Sequence, residues 1–115
     1  MDNDGGVGAY IDAIPVVHRA LFDRVHDLVV TAFPDAGLGL SYRMPTFSRG
    51  KKKLYVGAWA HGISLYGWKA GQDAGFLERH PALRSGRGTV RIRPADADVI
   101  SDSEILDLVR SALGG

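Results

Sequence analysis

The sequence predicts an α+β domain, a two-layer sandwich in which helices pack on one face of a mostly antiparallel sheet. Three observations support this fold class: an amphipathic segment near each end of the chain, short alternating segments between them, and glycine-containing turns that join those segments. The length of 115 residues is typical of one domain. We therefore expect one domain over residues 8–115, with about five short strands and N-terminal, middle and C-terminal helices, after a disordered lead-in over residues 1–7.

The first long helix is predicted over residues 15–33, after a short helical turn in residues 8–14. Pro15 suits the first turn of a helix because its missing N–H costs nothing there, and Pro34 stops the helix. His18 lies next to the apolar stripe and is expected to be half-buried. Apolar residues repeat at helical spacing and predict a buried stripe of Val17, Leu21, Val25, Leu28, Val29 and Ala32.

The middle of the chain predicts strands over residues 38–43 and 46–49, which Met44-Pro45 separates, and over residues 53–60 and 63–68. His61-Gly62 is the expected turn of the clearest hairpin. Period-two alternation assigns the faces of its two strands. In the first strand Leu54, Val56 and Ala58 face one way and Tyr55, Gly57 and Trp59 the other. In the second strand Ile63, Leu65 and Gly67 lie opposite to Ser64, Tyr66 and Trp68.

The remaining elements are a helix over residues 70–80, a strand over residues 89–93 with Val90 and Ile92 inward, and a C-terminal helix. Ser101 followed by Glu104 is the pattern of a capping box, which predicts that this helix begins there. Gly114 is its expected stop. The buried stripe is expected to contain Ile105, Leu108, Val109, Ala112 and Leu113.

The composition excludes several classes of protein. Without cysteine there is no disulfide framework, thiolate zinc site, iron–sulfur cluster or cysteine nucleophile. The acidic, glycine-rich start is not the pattern of a signal peptide. The longest uncharged run, residues 54–68, is too short and too rich in glycine to span a bilayer as a helix. We expect a cytoplasmic protein with no membrane partner.

Charge is segregated along the chain although the net charge is only +1. Residues 41–94 contain eleven basic and two acidic residues, a balance of +9, whereas the two ends together carry −8. Such segregation can create a positive face that attracts anions. Alternatively, the oppositely charged segments neutralise each other when the chain folds.

Three local motifs lie in residues 41–47, 61–66 and 87–94: Ser-Tyr-Arg-Met-Pro-Thr-Phe, His-Gly-Ile-Ser-Leu-Tyr and Arg-Gly-Thr-Val-Arg-Ile-Arg-Pro. In this order they resemble the YdhG-like family (domain of unknown function 1801), and the resemblance covers about Tyr10 to Leu113. It implies an α+β fold. Part of that family is proposed to act as frataxin-like iron chaperones, which makes iron binding an alternative function. This chain departs from its relatives at Gly37 and Gly39, where they often carry glutamates, and at Arg93, where an aromatic residue is usual.

A metal site would use Asp23, His26 and Asp27, which lie at positions i, i+3 and i+4 of the first long helix. Carboxylate oxygens and an imidazole suit ferrous iron or manganese. The alternative, which we favour, is that these residues form the solvated side of an amphipathic helix.

A basic constellation is the other candidate site. Arg87, Arg91 and Arg93 follow one strand, and their guanidinium groups match phosphate or carboxylate geometry. Gly86 and Gly88 leave backbone N–H groups accessible beside Arg87. The alternative is a charged edge strand that resists aggregation. The other residues assigned to this ligand site are Tyr42, Arg43, Lys53, His61 and Tyr66.

These patterns favour a non-catalytic binding protein with a basic face for a small anionic ligand or an acidic protein partner, and without a cofactor. Neither a nucleophile elbow nor a glycine-rich phosphate loop is present, so the sequence leans away from an enzyme. Nucleic acid is a less favoured alternative: Tyr55, Trp59 and Trp68 lie near Lys51, Lys52 and Lys53 and could stack bases, but the chain is only mildly basic and carries no known nucleic-acid-binding motif. Another alternative is an interaction subunit, or a homodimer, that buries Trp59 and Trp68 against a second chain.

Overall fold

The structure, a computed structural model, describes residues 6–68, 72–85 and 88–114. Five antiparallel strands form one sheet in the order β1-β2-β3-β4-β5, and the predicted α+β fold is confirmed. The strands are β1 (Gly37–Ser41), β2 (Met44–Arg49), β3 (Lys52–Ala58), β4 (Ile63–Tyr66) and β5 (Thr89–Ile92). The helices are α1 (Val7–Asp12), α2 (Val16–Ala32), α3 (Phe76–Arg79), α4 (Pro94–Ala97) and α5 (Asp102–Leu113).

The core lies between the sheet and helices α2 and α5. Strand alternation places the apolar side chains of every central strand on one side, here called the inner face. None of the described helices has the length and apolar character to cross a membrane. The buried inner-face residues are Phe47, Leu54, Val56, Ile63, Leu65, Val90 and Ile92.

Helix α2 forms where the sequence predicts it, but its buried stripe is different at the start. Val17 is 63% exposed, so its predicted burial is wrong. His18 is buried instead, with Nε2 3.2 Å from the carbonyl oxygen of Ala60. Because a carbonyl only accepts, Nε2 carries the proton in this hydrogen bond. The first turn of α2 therefore docks on the loop between β3 and β4 through a histidine.

The β1–β2 hairpin corrects a predicted break. Met44 and Pro45 belong to β2, and Ser41 pairs with Met44 to close a two-residue loop of Tyr42 and Arg43. Pro45 pairs with Leu40 at the next position, which makes no hydrogen bonds between these strands. The missing N–H of proline therefore costs no bond to β1, and the strand continues through it.

The β3–β4 hairpin is confirmed, with its turn one residue earlier than predicted. Trp59 donates its N–H to the Gly62 carbonyl at 2.8 Å, and Gly62 donates to Trp59 at 3.2 Å, so the turn residues are Ala60 and His61. Gly62 has a φ of +152°. A Cβ there would lie 2.2 Å from the carbonyl oxygen of Ile92, so the close approach of β5 requires glycine.

Beyond β4 the sequence prediction is wrong in two respects. Trp68 does not follow Ser64 and Tyr66 onto the outer side, because Gly67 turns the chain with a φ of +143°. Trp68 is 8% exposed and donates its indole N–H to the Leu108 carbonyl at 3.1 Å. The predicted helix over residues 70–80 is reduced to α3 and a 3-10 turn at Pro81–Leu83, with residues 69–71 outside the described part.

Helix α1 joins the N-terminal part of the described residues to the sheet. Val7, assigned by sequence to the lead-in, is buried at the start of α1, while residues 1–5 lie outside the described ranges. The Tyr10 hydroxyl accepts a hydrogen bond from the Ala58 N–H at 2.9 Å and lies 3.3 Å from its carbonyl oxygen. It thus satisfies the backbone at the end of β3.

The end of the last predicted strand also differs. Arg93, predicted as a strand residue, instead starts α4, a helix that the sequence did not indicate.

The start of α5 confirms the predicted capping box and adds a link to α3. The Glu104 N–H donates to the Ser101 hydroxyl at 3.1 Å, and the Glu104 carboxylate receives hydrogen bonds from His80 at 2.6 Å and Arg79 at 3.3 Å. The His80 bond, supported by those of Ser101 and Arg79, lowers the pKa of Glu104 below its ordinary 4.5. The predicted buried stripe of this helix is confirmed in full: Ile105, Leu108, Val109, Ala112 and Leu113.

Replacing Glu104 tests this link. Glu104→Gln keeps a residue suited to the capping box but removes the charge, so we expect the free energy of unfolding to fall by about 1 kcal/mol at neutral pH. A lowered carboxylate pKa stabilises the fold above pH 4.5, and that contribution is lost as the pH falls through the lowered value. In urea titrations, the difference in free energy of unfolding between wild type and Glu104→Gln should therefore become smaller as the pH is lowered. Asp107→Asn, on the same helix, is the control, and an equal loss there would contradict the assignment.

Candidate ligand-binding face

The sheet presents a second side, the outer face, away from α2 and α5. Strand register arranges it in rows: Gly57, Ser64 and Arg91 are cross-strand neighbours, and Tyr66 lies between Tyr55 and Thr89 in the next row. Residues of this face in the four strands β2 to β5 alternate with the buried inner-face set. The outer face is defined here as Thr46, Lys53, Tyr55, Gly57, Ser64, Tyr66, Thr89 and Arg91.

Three tyrosine residues lie on or beside the outer face. The Tyr42 ring lies 5.8 Å from that of Tyr55, and Tyr55 faces Tyr66 across β3 and β4. Tyr42 nevertheless remains 83% exposed. Tyr42 and Arg43 both have left-handed backbones, with φ of +52° and +63°, where tight hairpins usually carry Asn-Gly. Each such non-glycine residue costs roughly 1 kcal/mol or more, so the loop holds Tyr42 in place at the expense of backbone strain.

Trp59 lies flat on the sheet above a glycine. A Cβ at Gly57 would be 2.7 Å from Nε1 of the Trp59 indole, so only glycine leaves room for the ring in this position. The indole remains 44% exposed. The aromatic surface of the outer face therefore extends from Tyr42 past Tyr55 to Trp59.

A serine–histidine pair borders the aromatic surface. Nε2 of His61 lies 3.1 Å from the Ser64 hydroxyl oxygen, and Ser64 is 2% exposed. Burial, then the Arg91 charge and the nearby His18, lower the pKa of His61 below its ordinary 6.5. Arg91 thus opposes the imidazolium that a serine–histidine catalytic pair has to form. The arrangement suits hydrogen bonding by a neutral imidazole better than general base catalysis.

The sequence left two alternatives for the basic segment, neutralisation by acidic residues or an unpaired positive face, and the structure shows each in a different place. Arg49 pairs with Asp35 at 3.5 Å, Arg79 with Glu104 at 3.3 Å and Arg93 with Asp96 at 3.0 Å, so part of the basic segment is neutralised. Among the described residues, seven cations form no ion pair with a described carboxylate: Arg43, Lys51, Lys52, Lys53, Arg84, Arg91 and Arg110. The positive charge that remains unpaired includes two outer-face residues, Lys53 and Arg91.

The structure brings together most, but not all, of the predicted ligand-site residues. Arg93 differs from the others because its guanidinium is already paired: it donates to both carboxylate oxygens of Asp96, at 3.0 and 3.3 Å. These bonds lower the pKa of Asp96. Arg43 lies in the strained β1–β2 loop, and Arg87 lies outside the described residues. The residues on or bordering the outer face are Tyr42, Lys53, His61, Tyr66 and Arg91.

The predicted metal residues on α2 have other partners. Asp23 forms an ion pair with Arg19 at 3.0 Å, and the His26 ring packs against Phe47 with 5.8 Å between ring centroids. Asp27 is exposed and lies 3.5 Å from Nδ1 of His26. Among residues 6–68, 72–85 and 88–114, no group of three or more histidine and carboxylate side chains is placed to hold a metal ion. The trio lies on the helix layer, away from the outer face.

From the sequence, Tyr55 and Trp59 were considered only as possible base-stacking residues, and Ser64 was not assigned to a site. The signal was present, because the alternation of β3 and β4 placed all three on the same face as Gly57 and Tyr66. Comparisons of the chain with protein-family models, curated proteins and solved structures found no match. The chemistry of the outer face therefore carries the functional inference.

Substitution of Gly57 tests the position of Trp59. In Gly57→Ala the new methyl group collides with the indole, so we expect a red-shifted tryptophan emission, stronger acrylamide quenching and a stability loss of about 1 kcal/mol. Gly39→Ala is the matched control, since a Cβ at Gly39 meets no atom within 4 Å. An unchanged emission in Gly57→Ala would show that the indole does not rest on Gly57.

Replacing Arg91 tests the electrostatics of the serine–histidine pair. Arg91→Gln removes a neighbouring positive charge, so the pKa of His61 should rise towards 6.5 in an NMR titration. Because the unfolded state binds more protons while the folded pKa is lowered, folding stability rises with pH up to about 6.5, and this slope should flatten in the variant. Arg110→Gln on α5 should leave both quantities unchanged. A His61 pKa insensitive to Arg91→Gln would contradict their proximity.

Proposed function

We propose that this protein is a binding module that holds an anionic ligand on the outer face of its sheet. The observation that carries this proposal is the pair of cations without carboxylate partners, Lys53 and Arg91, on a face where Tyr66 and His61 offer hydrogen-bonding groups. By strand register Lys53 and Arg91 lie two strands and two rows of side chains apart, and with no carboxylate on the defined outer face they give it a positive potential that attracts an anion. A guanidinium such as that of Arg91 also donates two parallel hydrogen bonds to phosphate or carboxylate oxygens.

The distribution of acids supports an anion rather than a cation as the ligand. The carboxylates of Asp23, Asp27, Asp102 and Glu104 lie on α2 and α5, the layer that covers the inner face. The outer face, by contrast, contains no acidic residue among its defined members. The field of the protein therefore favours approach of negative charge from the sheet side.

The family resemblance fits the same face. We propose that the chain is a YdhG-like protein, because residues from its three motifs lie on or beside the same face of the sheet. Tyr42 comes from the first motif, His61, Ser64 and Tyr66 from the second, and Arg91 from the third. We therefore propose that the three motifs contribute residues to one binding surface.

Charge reversal tests this proposal. The probe is inorganic tripolyphosphate, titrated into the protein at low salt while the unfolding midpoint is measured. At a hundred times the dissociation constant, a ligand adds about 2.7 kcal/mol, or roughly 10 °C for a domain of this size. We expect Arg91→Glu combined with Lys53→Glu to abolish this shift and high salt to weaken it.

The matched control is Arg110→Glu compared with Arg91→Glu alone, two single variants with the same change in net charge; Arg110 is exposed on α5, in the helix layer away from the outer face. The control should retain the shift. A loss of equal size in the control would indicate a response to net charge alone, and absence of any shift in the wild type would overturn the proposal.

A further inference from the structure

We infer that the anionic ligand of the outer face is single-stranded nucleic acid, whose bases stack on the tyrosine and tryptophan rings while its phosphates contact Lys53 and Arg91. This inference rests on the proposed function and adds the aromatic surface to it. Proteins that bind single strands combine stacking side chains with a positively charged path for the backbone. The outer face has both components on one surface.

The aromatic rings are arranged in a row rather than a cluster. Tyr42 contacts Tyr55 at 5.8 Å, and Tyr66 follows on the next strand, so the rings step across the sheet. Neighbouring strands are about 4.8 Å apart. An open sheet face with aromatic residues on adjacent strands can stack two or three successive bases, because each base has a flat face to offer.

The rings are available for a ligand. Tyr42 and Trp59 are 83% and 44% exposed to solvent, and Tyr55 and Tyr66 are half-buried. Large aromatic residues left exposed on one connected surface commonly mark an interaction site. Small residues lie beneath and between these rings, among them Gly57 and Ser64, so the rings form the raised part of the face.

The net charge of +1, which argued against nucleic acid, is the sum of an acidic helix layer and a basic outer face. The acids are concentrated on the helix layer, whereas Lys53 and Arg91 lie beside the rings without ion-pair partners among the described residues. Arg43 adds a third unpaired cation next to Tyr42 in the β1–β2 loop. Charge complementarity is therefore local to the outer face.

The shape of the face favours a strand over a single nucleotide. Sites for small molecules are concave and bury most of their ligand. Here the rings are spread over β3, β4 and the β1–β2 loop, and the open concavity of about 450 Å³ at Tyr55 is lined mainly by Lys51, Lys52 and Lys53, so it offers charge rather than a second ring. A polymer can contact all of them at once, whereas a mononucleotide contacts one or two.

Binding of a fluorescein-labelled deoxythymidine strand of about ten nucleotides, followed by anisotropy at low salt, tests this inference. The comparison probe is an abasic deoxyribose-phosphate strand of equal length, which has the charges without the bases. We expect the base-bearing strand to bind at least tenfold more tightly. Tyr42→Leu and Tyr66→Leu should each weaken it by about fivefold or more, since a stacked base contributes at least about 1 kcal/mol.

Conservative variants separate stacking from folding. Tyr42→Phe and Tyr66→Phe retain the ring and should bind within about twofold of wild type, and circular dichroism checks that the leucine variants fold. Equal affinity for the abasic strand, with no effect of the leucine variants, overturns stacking but leaves the anion-binding face intact if Arg91→Glu still abolishes binding. Thymidine monophosphate binding as tightly as the ten-nucleotide strand overturns the preference for a polymer. No binding of either strand or of tripolyphosphate overturns both proposals.

Discussion

Strict side-chain alternation along β3 is the constraint on which the rest of the structure depends. Leu54 and Val56 are fully buried on the inner face, while Tyr55 and Gly57 are carried to the outer face by the same strand. A shift of one residue would exchange the two sets, so burial of the aliphatic side chains fixes the register. Because β3 is the middle strand, its register also determines which residues of β2 and β4 are brought beside the tyrosines.

The helix layer uses its acidic residues to hold itself together. Arg24 of α2 donates to Asp102 and to the carbonyls of Ala97 and Ile100, which fastens the approach to α5. Glu104 combines helix capping with bonds to α3. Acids engaged in this way are not available to neutralise the sheet side. The stability of the helix layer and the positive character of the outer face are thus two consequences of one distribution of charge.

Local patterns predicted much of this fold, and the errors have physical causes. The capping box at Ser101 and the inward pair Val90 and Ile92 depend only on nearby residues, and both were predicted correctly. Trp68 was assigned to the wrong face because period-two alternation does not reveal that Gly67 ends the strand. The burial of the His18 side chain was underestimated because it depends on a contact with Ala60, 42 residues away.

The candidate site was predictable residue by residue but not as a surface. The basic residues were visible in the sequence, yet only the tertiary structure shows that Arg93 is held by Asp96 while Arg91 lies across from Ser64. Which cations remain unpaired is decided by contacts between distant segments, such as that of Arg49 with Asp35. Sequence patterns assign a side chain to a face of its strand, but they do not reveal its ion-pair partner.

The β1–β2 loop is the strongest sign that the outer face has been shaped for more than folding. Stability alone would favour Asn-Gly at two successive left-handed positions, and this chain has Tyr42 and Arg43 there. Folding gains little in return, because the Tyr42 ring buries less than a fifth of its surface. Strain kept without a gain in stability is characteristic of functional positions. The strain here places an aromatic ring beside Tyr55, on the side of the sheet that also has Lys53 and Arg91.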